Sequence, residues 1–149
     1  MSKLTSRIAF VVTACVVTSL AMAGDTPQHQ RHELMEGVGD AAKPVGKMLK
    51  GEKGFDAQVL MKSLNTFLDA SNRLGDLFPA GSETGEKTRA APAIWDDREG
   101  FKDAIAVLHK AASDAIAANP GTLEEAKAAM GPVFHACKNC HDTYRLPED

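Results

Sequence analysis

"HACKNCHDTYR", residues 135–145, places Cys137, Cys140 and His141 within five positions, in a chain of 149 residues with only three cysteines. On a helix these three residues stand at i, i+3 and i+4 and share one face. Two thiols at that spacing reach the two vinyl groups on one edge of a haem. The adjacent imidazole is then directed at the iron as an axial ligand. The pattern Cys-x-x-Cys-His is the attachment signature of c-type haem.

Three other chemistries use paired cysteines, and each fits less well. A structural zinc site needs four ligands, so His29, His32, His109 and His135 would have to converge on the pair. A thioredoxin-like pair belongs at the start of a helix that follows a strand, whereas this pair stands near the end of a helical chain. A disulfide between i and i+3 of a helix is strained and closes almost no loop.

Working outward, the segment that carries the motif begins at "TLEE", where Thr122 and Glu125 read as a capping box. Its apolar stripe is Ala126, Met130, Val133, Cys137, Cys140/His141 and Tyr144, and Pro132 is expected to distort it near the middle. Three further helical segments precede it. The first, from about Thr26 to Leu49, has Thr26 as N-cap and Pro27 at its first position. Its stripe is Leu34/Met35, Val38, Ala41/Ala42, Val45 and Met48/Leu49, with Gly37, Gly39, Pro44 and Gly46 expected to weaken or bend it. The second, from about Asp56 to Phe78, aligns Leu60, Leu64, Phe67, Leu68, Leu74 and Leu77. After a Gly- and Pro-rich loop from Pro79 to Pro92, closed by Trp95, the third is expected to use Asp96 and Glu99 as its capping pair. It buries Phe101, Ile105, Leu108 and Ile116 and stops at "NPG", residues 119–121. Four helices without a strand signal predict an all-α, antiparallel four-helix bundle. The haem would fill the space that the alanine-rich stripes of its first and last helices leave between them.

The N-terminus gives the compartment. "MSKLTSR" is basic, "IAFVVTACVVTSL" is apolar, and Ala21-Met22-Ala23 is a small-residue exit, the three parts of a secretory signal peptide over residues 1–23. The apolar run is short of the ~20 residues of a membrane span. A lipoprotein signal that would leave a lipid-bearing Cys15 at the mature N-terminus fits poorly, because the apolar run continues beyond it. The domain is then residues 24–149, exported and not membrane-spanning. Losing Lys3 and Arg7 leaves it more acidic than the full chain's net −3. No basic patch suggests nucleic acid.

The pieces "RHELM" at 31–35, "KGEKGFD" at 50–56, "TRAAPAIW" at 88–95 and "AAMGPVFHACKNCHDTYR" at 128–145 together resemble cytochrome c′ and its low-spin relatives, the class II c-type cytochromes. The resemblance covers nearly all of the domain. It implies one covalently bound haem c, held by thioethers from Cys137 and Cys140, with His141 as the proximal ligand. It sets Arg31 near the haem edge, Arg145 beside the proximal histidine, and Met35 over the opposite face. It also implies that two copies can pair through their first two helices, as a homodimer.

Met35 divides two functions. As an axial ligand it makes a periplasmic carrier of single electrons that exchanges them with redox partner proteins. As a packing residue, the role of most methionines at helical spacing, it leaves a five-coordinate haem that binds nitric oxide or carbon monoxide. Tyr144 and Trp95 read as core aromatics. An enzyme is not expected, because no acid/base constellation accompanies the haem motif.

Overall fold

The structure is a computed structural model that describes residues 26–85 and 88–147. The expected signal peptide at 1–23, with its Ala21-Met22-Ala23 exit and Cys15, lies outside the described residues. Helix α1 spans Pro27–Leu49, α2 Ala57–Arg73, the short α3 Ala93–Asp96, α4 Arg98–Ala118 and α5 Leu123–Tyr144. The four long helices form an antiparallel bundle. A single isolated bridge, Ala90 with Arg145, is the only strand-like pairing among the described residues.

The helix starts follow from local chemistry. The Thr26 hydroxyl accepts the His29 N–H at 3.1 Å, and the Asp56 carboxylate accepts those of Gln58 and Val59 at 3.0 and 3.1 Å. At α5 the capping box is complete. Thr122 Oγ1 accepts from Glu125 N at 3.3 Å, and Glu125 Oε2 accepts from Thr122 N at 3.0 Å. Each cap satisfies backbone donors that a helix leaves orphaned. Asn119 ends α4 in the left-handed region at φ 44°, a conformation that asparagine tolerates better than most residues.

Two sequence expectations are corrected. The second helix does not run to Phe78; it stops at Arg73 and tightens into a 3₁₀ turn over Leu74–Leu77. Asp96 does not cap the third long helix. Residues 93–96 wind a helical turn of their own, and the Asp97 N–H closes it on the Ala93 carbonyl at 2.9 Å. The chain therefore breaks at Asp97, which accepts the Gly100 N–H at 3.0 Å. Glu99 pairs with Lys102 instead. Helices α5 and α1 continue through Pro132 and Pro44.

Two buried clusters hold the bundle. The larger joins Val45 and Met48 of α1, Leu60, Leu64 and Phe67 of α2, Leu108, Ala112 and Ala115 of α4, and Met130 and Val133 of α5. Met48, Leu60, Leu64 and Met130 are fully buried, each contributing about 2 kcal/mol of hydrophobic stabilisation. The smaller cluster is Leu74, Phe78, Ile94, Phe101 and Tyr144. It lies where α1 begins and α5 ends. There, Phe78, Phe101 and Tyr144 pack edge to face, with centroids 4.9 and 5.2 Å apart. Helix α2 packs on both α1 and α4, and α4 on α5, whereas α1 and α5 meet only sparingly.

Candidate haem site

The last two turns of α5 carry the motif, and the apolar spacing of that helix decides what each residue meets. Ala126, Met130, Val133 and Ala136 face the main core. Cys137 is half-buried against the same core, while Cys140, one turn on, packs against the smaller aromatic cluster. Both thiols are free. Burial pushes the Cys137 thiol up. Burial, then the neighbouring Cys137, pushes Cys140 up to about 11. Thiols held in their neutral form do not suit a redox pair, whose nucleophile is a thiolate of lowered pKa. Among the described residues no group of three or more His, Cys, Asp and Glu comes together as a metal cage.

His141 is exposed as a residue, yet its imidazole is held below the ordinary histidine range. Partial withdrawal of the ring from water is the leading cause. The guanidiniums of Arg145 and Arg89 add to it, against an opposing pull from Asp142. A neutral imidazole offers its lone pair to a metal at physiological pH.

Met35 approaches from the other helix. It is half-buried and packs, with Leu34, against the aromatic cluster that also receives Cys140. Arg31, one turn earlier, is only 6% exposed. Its guanidinium lies 4.7 Å from the Phe78 ring centroid and 5.8 Å from that of Trp95. It donates to the Ser82 carbonyl at 2.8 Å and the Ser82 hydroxyl at 3.2 Å. Arg145 follows the end of α5 in extended conformation, bridged to Ala90. Tyr144 and Trp95 both belong to the aromatic cluster, and the Tyr144 hydroxyl donates to Asp97 at 3.4 Å.

Arg89 is the residue that sequence reasoning passed over. Its Nε and Nη2 donate to the Leu146 carbonyl at 3.1 and 2.9 Å, and its charge bears on His141. It stands in "TRAAPAIW", but nothing in that stretch reveals a partner in the C-terminal tail.

The residues present thus fit a haem: two neutral thiols one turn apart, an adjacent neutral imidazole, and an apolar cluster faced by a thioether from α1. Comparison with known proteins agrees. The profile of the family described as cytochrome c′ matches residues 26–145. The chain belongs to the cytochrome c′ family. It is 42% identical over 143 residues to cytochrome c′ of Rhodopseudomonas palustris (strain ATCC BAA-98 / CGA009), covering 93% of this chain and 95% of that relative. It is 37% identical over 117 residues to cytochrome c-556 of Agrobacterium tumefaciens (strain B2A), covering 78% and 94%. The solved structure of cytochrome c′ from Rhodopseudomonas palustris superposes with a TM-score of 0.80 at 40% identity, over 85% of this chain and 99% of that one. As a cytochrome c′ family member, the chain is a four-helix-bundle haem protein with one covalently attached haem c.

Proposed function

We propose that this cytochrome c′ family member is a periplasmic carrier of single electrons. In this reading Cys137 and Cys140 would hold the haem, and His141 and Met35 would be the iron's ligands. The observation that carries this reading is the packing of Met35 from α1 and Cys140 from α5 against one aromatic cluster. A thioether and the attachment motif are thereby brought to the same end of the bundle.

The bound haem supplies one-electron iron chemistry. The chain's own residues do the rest. Cys137 and Cys140 would hold the haem through thioethers, each formed by adding the thiol's S–H across a vinyl group. The lowered pKa of His141 keeps a lone pair free for the iron. A thioether ligand favours the ferrous state and raises the potential. Arg31, one turn before Met35, and Arg145, just past the end of α5, would serve the haem edge and the surroundings of His141. Export through residues 1–23 places the protein where c-type haem is attached and where its redox partners would be met. No described helix is long and apolar enough to cross a membrane.

The same packing favours a second reading. A methionine that only fills space beside Leu34 leaves the iron five-coordinate and open to nitric oxide or carbon monoxide. The absorption spectrum of the reduced holoprotein separates the two. A low-spin, six-coordinate spectrum that turns high-spin in Met35→Ala, with faster carbon monoxide binding, is expected. A wild-type spectrum that is already five-coordinate would overturn Met35 ligation and leave the gas-binding reading in place.

A further inference from the structure

Helices α1 and α5 carry the residues on the two sides of the site, yet they meet only sparingly. Along the main core the gap between them is fixed through α2 and α4, whereas at the end that carries Met35 and Cys140 only the smaller cluster bounds it. We infer that the turn Pro79–Ser82 and the segment Arg89–Ala91, joined through Trp95, form a strap that sets this gap, with Arg89 as the positioning residue on the His141 side.

The strap can be followed bond by bond. On the α5 side, Leu146 N donates to the Arg89 carbonyl at 2.8 Å and Ala91 N to the Tyr144 carbonyl at 3.1 Å. The two Arg89 side-chain bonds to Leu146 lock this short ladder. It lies within one turn and a residue of His141. From Ala91 the chain enters α3, where Ile94 N donates back to the Ala91 carbonyl at 3.1 Å. The indole of Trp95 then donates to the Pro79 carbonyl at 3.2 Å. On the α1 side, Ser82 N and Oγ both donate to that Pro79 carbonyl, at 3.3 and 2.8 Å. Ser82 is in turn held by Arg31, one turn before Met35.

The α1 end of the strap is stiff for a physical reason. The Arg31 guanidinium is withdrawn from water between Ser82 and the faces of Phe78 and Trp95, and displacing it would strand a buried charge. Most of the other links end on backbone groups, so little side-chain freedom remains to absorb a displacement. A change at Arg89 should therefore be felt at the beginning of α1.

The inference rests on the reading that the haem lies between Met35 and His141. The test uses the full-length holoprotein and two variants at different points of the strap. Arg89→Met removes both donors to Leu146. Trp95→Phe removes one donor and keeps an aromatic ring in the cluster. Native-state hydrogen exchange is expected to quicken about fivefold at the far end in each case, the scale of losing one net hydrogen bond. For Arg89→Met the far end is the first turns of α1; for Trp95→Phe it is residues 142–146. Carbon monoxide association with the ferrous Arg89→Met protein should quicken about fivefold as well, since the residues of α1 above the iron relax. Arg89→Lys, which keeps one donor, should restore most of both effects. For Arg89→Met, exchange that changes only at 89–91 and 144–146 would overturn the strap, as would unchanged carbon monoxide association; for Trp95→Phe, unchanged exchange at 142–146 would. The wild-type reduced spectrum judges Met35 separately, and a five-coordinate result there leaves the exchange test of the strap intact.

Discussion

At Gly100 two opposing effects can be weighed. A glycine in a helix costs up to ~1 kcal/mol relative to alanine, so Gly100→Ala would ordinarily stabilise α4. Here an added methyl would overlap the Asp97 carboxylate and come 2.7 Å from the Tyr144 hydroxyl. Asp97 cannot move aside without giving up the N-cap bond to Gly100 N, which is worth about 1 kcal/mol. The close approach should win, and Gly100→Ala is expected to lower the denaturation midpoint by the equivalent of about 1–2 kcal/mol. A more stable variant would mean that the contact between Tyr144 and Asp97 constrains nothing. Cys140 illustrates a residue whose chemistry was plain from its neighbours in sequence. Arg89 illustrates the opposite, because its partner Leu146 is 57 positions away.

Among the helices, α5 was the most legible. Its capping box and its apolar stripe both appear in the sequence, and both are present in the fold. The stripe differs at two places: Ala136, which it omits, is buried, and His141, which it includes, is exposed, while its last member Tyr144 is buried as expected. The start of α4 was misread because Asp96 and Asp97 are adjacent and either satisfies a capping pattern. Only the extra turn of α3 decides between them. The strap was illegible, since its ladder bonds join backbone groups of segments far apart in the chain and leave no periodic trace.

The α5 cap also has a pH signature. Glu125 is held below the ordinary value of 4.5, first by the Gly121 N–H and then by Thr122. Its folded value is depressed, so its stabilising contribution is present above the unfolded value and is lost as pH falls through the folded one. The stability difference between wild type and Glu125→Gln should therefore shrink as the solution is acidified past 4.5. Thr122→Ala should cost about 1 kcal/mol at neutral pH. A Glu125→Gln difference that does not change with pH would show that the capping carboxylate is dispensable.

For the molecule as a whole, the division of the core into two clusters has a mechanical consequence. The larger cluster draws on α1, α2, α4 and α5 and contains most of the fully buried side chains. The smaller one depends on the 3₁₀ turn, the short α3 and the ends of α4 and α5. The two motif cysteines are divided between them, Cys137 against the first and Cys140 against the second. A haem bonded to both would tie the clusters into one cooperative unit. A variant with both cysteines changed to serine cannot hold the haem covalently, so its two clusters should come apart energetically. Hydrogen exchange should then stay slow around Leu64, Leu108 and Met130, and become fast around Phe78, Ile94 and Phe101. Thermal unfolding of that variant should broaden or split into two steps, whereas the holoprotein melts in one. Uniform loss of protection across both clusters would mean that the main core cannot stand without the haem, and that the bundle is a single unit from the start.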